Sequence, residues 1–400
     1  MNFPEHIRQF ASDIHNDLRK TRHHLHQNPE LSFQEYQTAA FVAKELTALG
    51  LSPQEGVAGT GVVALVEGVN PQKKVVALRA DMDALPILEE NEVPYRSQNE
   101  GVMHACGHDV HTTSLLGAAR LLSNFKDQFE GTVKLVFQPG EEQVPGGASQ
   151  MIKAGVLENP DPQAMLGQHV MPYLPVGTVG FRSGAYMASA DELYLTVHGK
   201  GGHAAMPERF NDPVTAAAQM IVSLQQIVSR KANPRHPSVL SFGHFQSVGN
   251  KATNIIPDRV EIAGTFRTLD SEWREEAHQH LRNIVSGLAT AFGVKADLEI
   301  RLGYPPLFNN PETATRAREA AIKYMGEENV VDLDIWMAAE DFAFFAQERP
   351  SCFYRLGTRN EAKGIVSGVH TPTFDIDEDA LPIGAGLLAW LAIEELKSKA

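Results

Sequence analysis

Residues 75–83 read Val75-Val76-Ala77-Leu78-Arg79-Ala80-Asp81-Met82-Asp83, an apolar run that passes directly into two carboxylates. A short apolar run ended by polar residues reads as a buried strand. Similar runs stand at 62–66 and 133–137, and residues 112–125 between them carry apolar positions at helical spacing. Strands alternating with helices predict an α/β layer. In such sheets the chemistry gathers beyond the carboxyl ends of the strands. Asp81 and Asp83 obey that rule. So do Glu141 and Glu142 after the 133–137 run, His169 closing a run over 164–167, and His370 in the loop beyond 353–356. Four predicted strand ends thus carry groups able to bind a metal or a proton. At the N-terminus residues 7–27 and 34–49 read as a helical pair, separated by Asn28 and Pro29.

Residues 104–111 read His104-Ala105-Cys106-Gly107-His108-Asp109-Val110-His111. Thiolate and imidazole suit a borderline-soft divalent ion such as zinc, and Cys106 stands two residues before His108 at a predicted helix start. With Glu142, His169 and His370 they make five ligands, enough for two ions that share a water or substrate oxygen. Adjacent carboxylates on a loop point in different directions, so one of Glu141 and Glu142 can bind metal while the other faces a reacting water. Asp81 and Asp83 have three readings: ligand, helix cap, or a partner holding an imidazole in one tautomer. The last is preferred for Asp83. His104 stays undecided, His111 reads as a helix-face residue, and the histidines at 6, 15, 23, 24 and 26 read as surface.

The 400 residues suggest two domains. A net charge of −14 opposes any general affinity for nucleic acid or anionic membrane. Two cysteines are too few for a disulfide framework. With no leader-like apolar segment in residues 1–10 and too short an apolar stretch at 381–393 to span a bilayer, the expected location is cytoplasmic.

The middle of the chain has a different rhythm. Strand (193–197), helix (213–228), strand (239–245), strand (259–267), helix (273–292) and strand (296–301) give the β-α-β-β-α-β order of a ferredoxin-like unit. Ligand-bearing segments lie on both sides of it, so it reads as an insertion, with Gly184 and 303–306 as hinges. The expected division is 1–186, first part of a catalytic domain; 187–303, the insertion; and 304–400, the second part. Within the insertion, residues 199–203 (GKGGH) present His203 on a glycine-rich loop, Asn254 offers an amide, and Arg267 a guanidinium able to clamp a carboxylate.

Six ordered segments resemble the M20 metallopeptidases, in the amidohydrolase branch that contains hippurate hydrolases, aminoacylase-like enzymes and indoleacetyl-amino acid hydrolases. They are 26–33 (HQNPELSF), 79–86 (RADMDALP), 103–108 (MHACGH), 137–142 (FQPGEE), 199–207 (GKGGHAAMP) and 339–342 (AEDF). The resemblance implies a mixed-sheet dinuclear metallohydrolase domain, of zinc-peptidase type, interrupted by a ferredoxin-like lid and dimerisation domain. It implies Cys106, His108, Glu142, His169 and His370 as metal ligands, Glu141 as general base and Asp83 as the acid orienting the metal site. It further implies that His203, Asn254 and Arg267 reach the substrate, His203 entering the partner subunit's site in a homodimer. Many members have His-x-Asp where this chain has Asp81-Met82-Asp83, and an Asp bridge where it has Cys106. That substitution leaves zinc or manganese, with cobalt or nickel, as the candidate pair of divalent ions.

The activity so implied is metal-dependent hydrolysis of an N-acyl amino acid, hippurate-like or with another aromatic or aliphatic acyl group. Two alternatives stand beside it: a dipeptidase, carboxypeptidase or N-acetyl amino acid deacetylase of the same family, and a metal-containing protein that binds such conjugates without cleaving them.

Overall fold

The computed structural model describes residues 2–249 and 252–398. The chain forms two compact units. The first comprises 1–184, 308–335 and 341–400; the second comprises 185–307 and 336–340.

The first unit is built on an eight-stranded mixed sheet. Its spatial order is Gln54–Val57, Gly61–Glu67, Thr132–Gln138, Val75–Asp81, Ala164–Pro175, Ser351–Arg359, Val179–Phe181 and Val330–Asp332. The four strands from Thr132–Gln138 to Ser351–Arg359 run parallel, and the flanking pairings include antiparallel ones. Val75–Asp81 and Thr132–Gln138 are buried at every residue, the state of parallel strands covered on both faces. The helix His108–Asn124 packs on Val75–Asp81 and against the C-terminal helix Ala380–Lys397. That last helix is apolar all round and buried at most positions, so it is a core element. No described helix is long and apolar enough to cross a membrane.

Two expectations need correction here. The 7–27 segment is two helices, Phe3–Asp13 and His15–Gln27, broken at Ile14 with φ −90° and ψ 5°. The buried positions Ile7, Ala11, Ile14, Leu18 and Leu25 keep helical spacing across the break, so periodicity gave no warning. The run at 164–167 continues to Pro175, which places His169 inside a strand, opposite Arg355, instead of at its end.

In the second unit four strands pair antiparallel in the order Ser238–Val248, Arg259–Thr268, Asp191–His198, Lys295–Leu302. With helices Pro213–Leu224 and Ser271–Phe292 this is the ferredoxin-like arrangement. Each helix begins where its sequence says: Asp212 and Asp270 cap the first turns, and the second helix ends at Gly293, with φ 63°. Trp336–Glu340 belongs to this unit, although the linear reading put it in 304–400. The segment docks because Ala188 N–H donates to the carbonyls of Trp336 and Ala338, and Arg267 Nη1 donates to that of Met337.

Candidate metal centre

The carboxyl ends of the parallel strands deliver the donors. Val75–Asp81 leads to Asp83, Thr132–Gln138 leads through Pro139 and Gly140 to Glu141 and Glu142, and Ala164–Pro175 carries His169. The helix His108–Asn124 starts beside them at Gly107. That glycine has φ 84°, and a Cβ on it would stand 2.5 Å from Val170 Cγ2. Only glycine fits there, which fixes the turn between Cys106 and His108. Gly107→Ala should destabilise the protein by roughly 1–3 kcal/mol through overpacking alone and lower its metal content. Denaturant midpoint and metal analysis check this, and wild-type values for both would refute it.

Of the donor groups whose ligand atoms lie within 4.8 Å of one another, three join the predicted ligands: Cys106 with His108 and His169, Cys106 with Glu142 and His370, and His108 with Glu141 and Glu142; a further group joins Asp81 with His108 and His111. Cys106 Sγ lies 3.4 Å from His169 Nε2 and 3.3 Å from His370 Nε2. Glu142 Oε1 lies 3.2 Å from His370 Nε2 and 3.9 Å from His108 Nε2. Cys106 and His108 are buried, and His370 is exposed at φ 61° in the loop that follows Ser351–Arg359.

Hydrogen bonds fix the imidazole tautomers. His108 Nδ1 donates to the backbone oxygen of Asp83 at 2.9 Å, with Asp83 Oδ1 at 3.2 Å, so its Nε2 faces inward. His169 Nδ1 donates to Val170 O at 2.8 Å, leaving Nε2 toward Cys106. This is how histidine is prepared to bind a metal through Nε2. His111 is arranged oppositely: its Nε2 accepts from Val170 N–H and its Nδ1 donates to Asp81 Oδ1 at 2.6 Å. Its second nitrogen is therefore spent on backbone, and the ring holds the strand beside His169.

The fit to a cation rests on unsatisfied atoms. His108 Nε2 and Glu142 Oε1 are buried and make no hydrogen bond. Leaving such atoms without a partner costs about 1–3 kcal/mol each, more for charged groups, and a divalent ion between them removes that cost. Burial disfavours a charged His108 ring, yet Asp81 and Asp83 outweigh it and raise its pKa to about 10. Burial pushes the Cys106 thiol well up, and Glu142 and Glu141 add to the effect. Beyond burial, both shifts report the negative field of the surrounding carboxylates, which favours a bound cation: a proton as the site stands, or a divalent ion that would displace it from His108 Nε2 and from the thiol.

Beneath Glu141 lies a network that the sequence reading did not foresee. Arg79, fully buried, bridges Asp81 and Asp341 at 2.7 Å each and donates to Gln138. Gln138 and Ala148 N–H also donate to Asp341. The quoted segments 79–86 and 339–342 contained Arg79 and Asp341, but nothing in linear order paired them.

A second buried cluster overturns the surface reading of His26. Arg22 is fully buried against Asp109 (3.0 Å), Asp375 (2.6 Å) and Glu378 (3.4 Å). His26 bonds Asp109 through Nδ1 at 2.8 Å and Glu89 through Nε2 at 3.1 Å. His15 and His23 are half-buried against Glu378, while His6 and His24 are exposed. A polar face on a helix reads as solvent-facing until other segments supply its counter-charges. Although burial opposes it, Asp109 and Glu89 raise the His26 pKa from 6.5 to about 9. The stabilisation is therefore complete below pH 6.5 and lost as pH rises through 9. Thermal melts should fall between pH 6.5 and 9.5 more steeply for the wild type than for His26→Phe, and parallel curves would refute this. His104, also buried, bonds through neither ring nitrogen, and burial lowers its pKa to about 4.

The three other candidates lie in the second unit. His203 is exposed on the two-residue strand Gly202–His203, paired with Ile255–Ile256. Ala205 N–H donates to its Nδ1 at 3.2 Å, which puts the proton of the neutral ring on Nε2. Asn254, exposed beside it, accepts from Ala204 N–H through its carbonyl. Arg267 is half-buried on Arg259–Thr268.

Residues 77–394 match the model of peptidase family M20/M25/M40. The chain is 40% identical to thermostable carboxypeptidase 2 of Saccharolobus solfataricus, covering 98% of this chain and 99% of that protein. It is 41% identical to IAA-amino acid hydrolase ILR1-like 5 of Arabidopsis thaliana, covering 94% and 86%. The crystal structure of Bacillus subtilis YXEP, a dinuclear metal-binding peptidase of the M20 family, superposes with a TM-score of 0.84 at 34% identity, covering 97% and 100%. The binding-protein alternative is thereby set aside: the chain belongs to peptidase family M20/M25/M40 and is a metal-dependent amide hydrolase.

Proposed function

We propose that the enzyme cleaves the amide of N-acyl amino acids, releasing a carboxylic acid and a free amino acid. The observation that carries this reading is the pair of unsatisfied buried atoms, His108 Nε2 and Glu142 Oε1, with the Glu141 carboxylate beside them. Cys106, His108, Glu142, His169 and His370 would hold two divalent ions. Bound cations of that kind polarise a carbonyl and acidify water. Glu141 takes the proton of the attacking water and returns it to the leaving amine, so no covalent intermediate with the protein is needed. Asp83 keeps the His108 Nδ1 proton engaged and its Nε2 free to ligate. Arg267 and Asn254 bind the amino acid carboxylate, and His203, with its proton on Nε2, donates to the developing oxyanion.

The indoleacetyl-amino acid hydrolase among the relatives supports an N-acyl amino acid substrate. The carboxypeptidase supports a peptide instead. Metal content by mass spectrometry, coupled to product release from hippurate, N-acetyl-methionine, indoleacetyl-alanine and a dipeptide, separates them. We expect two ions per chain and metal-dependent release from the acyl amino acids. Turnover confined to the dipeptide would replace the substrate reading, and no metal after reconstitution would remove the ligand assignment. Ser238–Val248 is an edge strand with its distal half exposed, which supports association of two copies through the inserted domain.

A further inference from the structure

We infer that Ser32, Phe33 and Glu35 are positioning residues that clamp the Gly140–Glu142 turn from both ends and so aim Glu141. The inference rests on the reading of Glu141 as the base.

Glu35 is fully buried, and among the described residues no cation pairs with it. Its Oε1 accepts from Phe33 N–H and from Gly140 N–H, each at 2.8 Å, and its Oε2 accepts from Thr60 Oγ1 at 2.6 Å. A carboxylate buried without a counter-ion is costly, and burial raises its pKa. Three hydrogen bonds among the described residues offset that cost, and one of them holds the residue just before Glu141. The other end of the turn is held by Asp83, whose Oδ2 accepts from Glu142 N–H at 2.9 Å and from Ser32 Oγ at 2.6 Å. Backbone on each side of Glu141 is therefore tied to a buried carboxylate, and both carboxylates are engaged by residues 32–35.

Phe33 supplies the third constraint. It sits at φ 63°, a left-handed conformation unusual for a bulky side chain. Its ring closes on Gly140, itself at φ 58°, where a Cβ would stand 2.4 Å from Phe33 Cε1. Strain of this kind persists only where the surroundings over-determine it, and here Glu35 accepts from the Phe33 N–H itself. Ring, hydroxyl and carboxylate leave the turn one position, and a misplacement near 1 Å costs about 10²-fold in rate.

The test is a kcat against KM comparison on hippurate, N-acetyl-methionine and indoleacetyl-alanine, with metal content measured on each variant. Glu35→Ala should lower kcat by roughly 10–100-fold, with KM within about 3-fold and metal content unchanged. Glu35→Gln should rescue kcat to within about 3-fold of wild type, because Gln Oε1 still accepts both N–H groups and the Thr60 hydroxyl can turn to accept from Nε2. Should Glu35→Ala not fold, Ser32→Ala removes one clamp with one atom and should lower kcat by roughly 5–10-fold at constant KM. Glu141→Gln is run alongside. If that variant turns over normally, the base reading fails and the clamp with it. If it is dead while Glu35→Ala or, failing that, Ser32→Ala keeps wild-type kcat, the clamp alone is overturned. A Glu35→Gln variant as impaired as Glu35→Ala also overturns it, as does an effect confined to KM or metal content.

Discussion

Glu141→Gln should lower kcat by about 10²–10⁴-fold, or roughly 3–5 kcal/mol of transition-state stabilisation, while the protein keeps its metal and its fold. The amide matches the carboxylate in shape and cannot take a proton from water. Glu141 is buried at the carboxyl end of Thr132–Gln138, and its Oε1 accepts from Asp341 N–H at 3.4 Å. That contact survives in a glutamine, whose Oε1 also accepts. The effect should therefore sit in kcat, with metal analysis and melting temperature as controls. Turnover within about 3-fold of wild type would remove Glu141 as base. Loss of metal together with activity would instead make it a ligand, an outcome its closeness to the His108 and Glu142 donors makes worth measuring.

The largest stability effect is expected from Arg22→Ala. The guanidinium is fully buried and answers three carboxylates, Asp109, Asp375 and Glu378, while stacking 4.8 Å from the Tyr95 ring centre. Its removal leaves the Asp109 side chain, fully buried, with His26 as its remaining cationic hydrogen-bond partner among the described residues. Breaking a buried pair from one side costs about 3–5 kcal/mol, because the other charge stays buried. Asp109 directly follows His108 in the helix, so the variant should also bind metal more weakly. Denaturant unfolding at fixed metal concentration measures the first effect and chelator competition the second. A loss below about 1 kcal/mol would mean that the cluster is screened like a surface pair.

Much of the site could be read from linear order because its chemistry is local. Cys106 and His108 are two residues apart, Glu141 and Glu142 are adjacent, and the strand that ends at Asp81 is an uninterrupted apolar run. The ferredoxin-like order of the second unit was equally legible, since amphipathic period and capping residues such as Asp212, Asp270 and Gly293 act within one turn. Hidden from linear order were the partners. His26 looked like one surface histidine among five until Asp109 and Glu89 came to it from 83 and 63 residues away. Glu35 fell unremarked in the stretch 34–49 read as helix, yet its carboxylate holds Gly140 from 105 residues away.

What the sequence determined by itself was the class of the fold and the kinds of atom gathered at the strand ends, which follow from periodicity and short-range spacing, while the family was carried by the resemblance of six ordered segments. What only the tertiary structure decided was which nitrogen of each imidazole faces inward, which charges are buried, and what holds Glu141 in place. Those properties belong to pairs of groups far apart in the chain, and their energies arise only when folding removes water from between them.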